Sequence, residues 1–168
     1  MTPTWRASSW IDVQLLCRFD EGDSIDHLLA RRVRCMDPLI QRACCCCVSD
    51  STDLSLYAMG GYGRGKLLPR SDIDLLVLGE VEDQHTHAQA LVRLLALLWD
   101  SGFALSHAVR SLAQCASQAQ NQTVLNALME ARPLVAKPAT RGVFAMAIAS
   151  AGIWPAHDFS QAKYDELQ

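Results

Sequence analysis

The sequence predicts an α/β (α+β) domain in which a small mixed β-sheet is covered by helices. Three observations lead there: a 168-residue chain that is half apolar, a strand–turn–strand–helix–strand order in its middle, and helical periodicity on both sides of that stretch. Residues 1–23 form an N-terminal segment. From Ser24 to about Cys47, Ile25, Leu28, Leu29, Val33, Met36, Leu39 and Ile40 recur at intervals of three and four, with Ser24 placed to cap the helix. Arg31, Arg32, Arg34 and Arg42 are expected mostly on its solvated sides. Leu54 to Met59 reads as a strand, and Gly60, Gly61, Gly63 and Gly65 then bend the chain or admit a ligand close to the backbone. Asp72 to Leu78 is a second strand, apolar enough in its distal half to be buried on both faces. Glu82 to Asp100 is helical, Ser101-Gly102 ends it, and Phe103 to Val109 is a third strand. Further helices are expected from Ser111 to about Arg132, from Thr140 to Ser150 and from Asp158 onward. The core therefore runs from 24 to 136. Residues 137–168 begin a helical extension, which stops without a capping Gly, Asn or Pro, as expected of a truncated piece.

Composition removes several classes of function. A net charge of −3, nine Gly and six Pro do not describe a disordered or collagen-like chain. The pI near 5.9 argues against an extended basic face for nucleic acid, while leaving room for a small anion in one pocket. The uncharged stretch Gly142 to Ala156 is too short to span a membrane and reads as a buried helix. No export signal marks the N-terminus, and seven Cys, an odd number, suit the reducing cytoplasm. Four of them are consecutive, Cys44 to Cys47, and read as structural, because a helix cannot gather four adjacent thiolates around one ion and only His85 and His87 offer a loose second pair.

The chemistry concentrates between Gly60 and Asp74. Two residues apart on a strand, the Asp72 and Asp74 carboxylates share a face, about 6.5 to 7 Å apart at the backbone. Hard cations such as Mg²⁺ take such ligands while keeping room for substrate phosphates. Gly60 and Gly61 offer bare backbone to a triphosphate, Ser71 a hydroxyl, and Arg64 or Lys66 positive charge. Gly60 to Lys66 also satisfies the first part of a phosphate-binding loop signature. Leu67 occupies the position where that signature needs a hydroxyl for Mg²⁺, and Pro69 arrives before a helix can follow.

The run from Tyr57 to Leu78, Tyr-Ala-Met-Gly-Gly-Tyr-Gly-Arg-Gly-Lys-Leu-Leu-Pro-Arg-Ser-Asp-Ile-Asp-Leu-Leu-Val-Leu, closely resembles the nucleotidyltransferase signature of the bacterial bifunctional PII uridylyltransferase/uridylyl-removing enzymes, within the polymerase-β-like superfamily. Arg18-Phe-Asp-Glu-Gly, Ser106-His-Ala-Val-Arg110, Leu128-Met-Glu-Ala-Arg132 and Phe159-Ser-Gln-Ala-Lys163 resemble segments of the same enzymes in the same order. The resemblance implies transfer of UMP from UTP to a tyrosine of the PII signalling protein, with Mg²⁺ required and pyrophosphate leaving. Asp72 and Asp74 match its catalytic, metal-binding carboxylates. Gly60, Gly61 and Ser71 match its nucleotide-phosphate positions, with Arg64 beside them. Neither a nucleic acid nor a membrane is an expected partner. Two departures stand out: Lys66 occupies a position usually Glu, and Ala104 and Ser106 occupy the strand where the superfamily places a third acid. His107 is then a candidate base and Arg110 a candidate phosphate ligand. The missing acid also admits an alternative function, a nucleotide-binding or regulatory remnant without catalysis.

Overall fold

Side-chain alternation along the central strands sets the layering of the molecule, whose computed structural model describes residues 7–49 and 53–151. The helices are α1 (Ala7–Asp20), α2 (Ile25–Cys47), α3 (Gly60–Gly63), α4 (Val81–Thr86), α5 (Ala88–Asp100), α6 (Leu112–Gln118), α7 (Gln122–Met129) and α8 (Pro138–Ala151). The strands β1 (Ser55–Ala58), β2 (Ile73–Leu78), β3 (Leu105–Arg110) and β4 (Arg132–Val135) form one sheet in the order β3-β2-β1-β4. β1 is antiparallel to β2 and β4, whereas β2 and β3 are parallel, so the sheet is mixed as expected. The parallel pair needs a long crossover, which α4 and α5 supply.

Both faces of the sheet are covered. Leu56, Ala58, Ile73, Leu75 and Val77 enter one core with α1, α2 and α5. Tyr57, Leu76 and Leu78 enter the other with α6, α7 and α8. This explains the unbroken apolar run of β2, which meets helices on each side.

Ser24 is extended and its hydroxyl accepts from the His27 amide at 3.4 Å, capping α2. The helix continues through Pro38 and buries Leu28, Val33, Met36 and Ile40. Arg32 corrects the expectation of a solvated face. It is only 4% exposed and pairs with Asp12 of α1, where burial lowers its pKa. What covers it is α1, in the stretch expected only as an N-terminal segment. The run Cys44–Cys47 divides by face: Cys44 is buried and Cys47 packs against the first core, while Cys45 and Cys46 are exposed.

Three expected elements divide differently. The helix from Glu82 to Asp100 breaks at His87, whose φ of −104° and ψ of 12° leave the helical region. The helix expected from Ser111 to Arg132 is two helices and a strand. Asn121 accepts from the Thr123 and Val124 amides at 2.9 and 3.2 Å, starting α7 afresh. Arg132 to Val135 then pairs with β1 as an edge strand, a position that tolerates Pro133. Residues beyond the expected boundaries share the same cores: Ile11 and Leu15 join the first, Phe144 and Ile148 the second. Here α8 corrects the expectation of a fully buried helix, since Val143 and Met146 on it are exposed. The helix expected from Asp158 lies outside the described residues. Among those described, no helix is long and apolar enough to cross a membrane.

Phe144 anchors α8, its ring 4.7 Å from that of Tyr57 between centroids. Phe144→Ala is therefore expected to cost about 3 kcal/mol or more, lowering the melting temperature by roughly 10 °C. Met146→Ala on the exposed side of the same helix should stay within about 0.5 kcal/mol. Thermal melting of the two variants checks the pair.

Candidate active site

The site forms where β1 ends and β2 begins. The Gly60–Gly63 bend is a single helical turn, closed by the Gly63 amide donating to the Met59 carbonyl at 2.8 Å and the Arg64 amide to the Gly60 carbonyl at 3.0 Å. Gly60 has two reasons to be glycine. Its φ is +53°, and an added Cβ would lie 2.7 Å from Oδ2 of Asp74, so the turn rests directly on that carboxylate. Gly61 is restricted by space instead, since a Cβ there would meet the Lys66 carbonyl at 2.9 Å.

Ile73 points into the first core, which sends its neighbours Asp72 and Asp74 to the opposite face. Asp72 is exposed and Asp74 half-buried. Burial raises the Asp74 carboxyl above its ordinary pKa; a hydrogen bond from Ser106 pulls it back, and the charge of Asp72 adds to the rise. A cleft of about 440 Å³ brings Gly61, Arg64, Lys66, Ser71, Asp72 and Asp74 together. Gly60 supports it from behind Asp74.

Each cation of the cleft has an acidic partner. Arg64 Nη1 lies 2.5 Å from Glu130 Oε2, and Lys66 Nζ lies 3.0 Å from Asp26 Oδ1. The Ser71 hydroxyl donates to the Leu68 carbonyl at 2.8 Å, tightening the loop before β2. Arg70 in that loop has φ +64°, and Leu67 is buried. The next element after Lys66 is strand β2 rather than a helix, which separates this turn from a phosphate-binding loop of the P-loop kind.

Behind the turn lies a cluster that the sequence reading missed. The Tyr62 hydroxyl donates to Asp37 Oδ1 at 2.7 Å, while Arg132 donates to both Asp37 oxygens at 2.8 and 3.0 Å. Burial and then Asp37 push the Tyr62 phenol far above its ordinary pKa. Glu130 and Arg132 both fall in the Leu128–Arg132 segment singled out above, but their partners are 66 and 95 residues away in sequence, beyond any periodicity signal.

The third strand contributes unequally. Ser106 pairs in register with Asp74 and faces it. His107 pairs with Leu75, its ring meeting Trp99 edge-on at 6.0 Å, and it lies among the residues of the cleft that Asp74 and Arg110 share. Arg110 lies four residues beyond Ser106, about 13 Å along the strand. It lines a second cleft of about 320 Å³ with Met59, Asp74, Ser106 and Thr123, and Asp74 is the carboxylate common to both clefts.

The glycine turn is seated on one of two carboxylates at the end of the two central strands of a mixed sheet, and the sequence model of the nucleotidyltransferase domain matches residues 44–125, from α2 into α7. The matched stretch, which holds β1, the glycine turn, β2 and β3, has the fold of a nucleotidyltransferase domain. More narrowly, the chain is 55% identical over 156 residues to the bifunctional uridylyltransferase/uridylyl-removing enzyme of Xanthomonas campestris pv. campestris (strain B100). It is 53% identical over 157 residues to that of Xanthomonas axonopodis pv. citri (strain 306), and 39% identical over 153 residues to that of Pseudomonas aeruginosa (strain UCBPP-PA14). These alignments cover 93, 94 and 90% of this chain, but 18, 18 and 17% of the respective relatives.

Proposed function

We propose that the chain is a Mg²⁺-dependent nucleotidyltransferase that transfers UMP from UTP to a tyrosine of a cytoplasmic PII-type signalling protein and releases pyrophosphate. The observation that carries this is the convergence of Gly61, Arg64, Lys66, Ser71, Asp72 and Asp74 on one cleft, with Gly60 against the Asp74 carboxylate. The uridylyl donor is supported by the names of the relatives, uridylyltransferase/uridylyl-removing enzymes.

The donor set fits a hard divalent cation: two carboxylates line one cleft, and Asp74 feels the charge of Asp72. Asp72 and Asp74 would hold Mg²⁺, which supplies charge neutralisation at the phosphates when bound. The chain's own part is to orient. Arg64 and Lys66 bring positive charge to the cleft, and Gly61 keeps the turn's backbone bare toward it. Positioning and electrostatics dominate such transfers, so a rigid turn matters as much as any proton acceptor. A second reading, nucleotide binding without transfer, is favoured by Ser106, a hydroxyl rather than an acid facing Asp74.

The test uses UTP labelled at its α-phosphate, Mg²⁺ and a PII protein, with calorimetry of UTP in parallel. Label on a PII tyrosine is expected from the first reading. Binding without labelling would establish the second, and neither would overturn both.

A further inference from the structure

We infer that Asp37 and Arg132 are positioning residues that fix the glycine turn over the Asp72 and Asp74 carboxylates, acting through Tyr62; this rests on the nucleotide-binding reading above. Three elements distant in sequence meet there: Asp37 from the middle of α2, Tyr62 from α3 and Arg132 from the first position of β4. The Tyr62 side chain has 0% exposure, so the turn cannot rock without pulling its hydroxyl from the Asp37 carboxylate. Arg132 holds that carboxylate with two hydrogen bonds, a geometry that fixes orientation as well as distance. Its guanidinium also lies 5.4 Å from the Tyr62 ring centroid, and its Nη2 reaches the Tyr62 carbonyl at 3.5 Å.

The cluster therefore grips both the side chain and the backbone of the residue that follows Gly61. Gly61 lines the cleft, and Gly60, one residue earlier, touches Asp74. Neither Asp37 nor Arg132 lines the cleft, so any effect they have on a nucleotide passes through the turn. An ordinary tie between α2 and β4 would not need the Tyr62 hydroxyl. That hydroxyl couples the tie to the site.

The experiment compares wild type with Tyr62→Phe, Asp37→Asn and Arg132→Lys, reading amide hydrogen exchange and the dissociation constant for UTP with Mg²⁺. Tyr62→Phe fills the same space and serves as the variant that keeps the fold. Exchange at the Gly63, Arg64 and Lys66 amides, which close the turn, should accelerate about tenfold, the worth of one hydrogen bond to a charged group, while the amides of β2 stay protected. The dissociation constant should rise by a similar factor. Arg132→Lys, keeping the charge without the two-pronged grip, should fall between wild type and Asp37→Asn. A uniform acceleration across the sheet, or faster exchange at the turn with unchanged UTP affinity, would reduce the cluster to a structural tie and overturn the inference. If wild type binds no UTP, the nucleotide reading itself fails and the positioning role falls with it, whatever the exchange shows.

Discussion

Asp74→Asn is expected to leave the protein folded, with its melting temperature unchanged or raised by about 1–2 °C, while UTP binding in Mg²⁺ and transfer to the acceptor fall by on the order of 10³-fold. The direction of the stability effect follows from the carboxyl's raised pKa. An acid whose pKa is higher folded than unfolded opposes folding once both states are ionised, so at neutral pH the charged Asp74 is a cost to the fold. Asn keeps the shape that Gly60 accommodates and still accepts the Ser106 hydrogen bond, but it has no charge for burial and Asp72 to oppose. The residue is thus held at a cost in stability, as expected where function sets the choice. Melting and calorimetry on the same preparation decide the matter. A variant that binds UTP with Mg²⁺ as wild type does, or one that melts several degrees lower, would show Asp74 to be an ordinary structural carboxylate.

What the sequence made legible was local. The apolar run of β2 and the three-and-four spacing in α2 and α5 each follow from residues that are neighbours in the chain, and Leu91, Leu94, Leu95 and Leu98 are buried together as their spacing implies. The same-face placement of Asp72 and Asp74 is likewise a property of one strand. α1 was not legible, because Trp10, Val13, Leu16 and Phe19 stay exposed around a helix that buries Ile11 and Leu15, so no single apolar stripe marks it. β4 was hidden for the opposite reason: Arg-Pro-Leu-Val is a strand only because β1 offers an open edge. The acidic partners of the site cations were also out of reach. Asp26 and Glu130 are separated from Lys66 and Arg64 by whole elements, and only the folded sheet brings them near.

Substituting alanine at three glycines should give three different results, with Gly63→Ala the most damaging. Gly142 lies inside α8 with nothing within 4 Å of an added Cβ, so Gly142→Ala should stabilise by about 0.5–1 kcal/mol through helix propensity. Gly65 also faces open space, but its φ is +76°, and a left-handed residue with a side chain costs about 1–2 kcal/mol. Gly63 is different again, because space alone excludes a Cβ there. The added atom would lie 2.6 Å from the Glu130 carbonyl and 2.8 Å from that of Ala58. Both are backbone atoms, one at the end of α7 and the other closing β1, where Ala58 pairs with Arg132. No rotamer change relieves the contact; the corner between α7 and β4 must move away from β1. That displacement is expected to cost about 3 kcal/mol or more, visible as a shift of the denaturation midpoint well beyond that of Gly65→Ala. It should also loosen the turn, because Glu130 at that corner holds Arg64. Equal losses for Gly63→Ala and Gly65→Ala would show that the corner yields freely, and that the close approach of Gly63 does not hold the glycine turn in place.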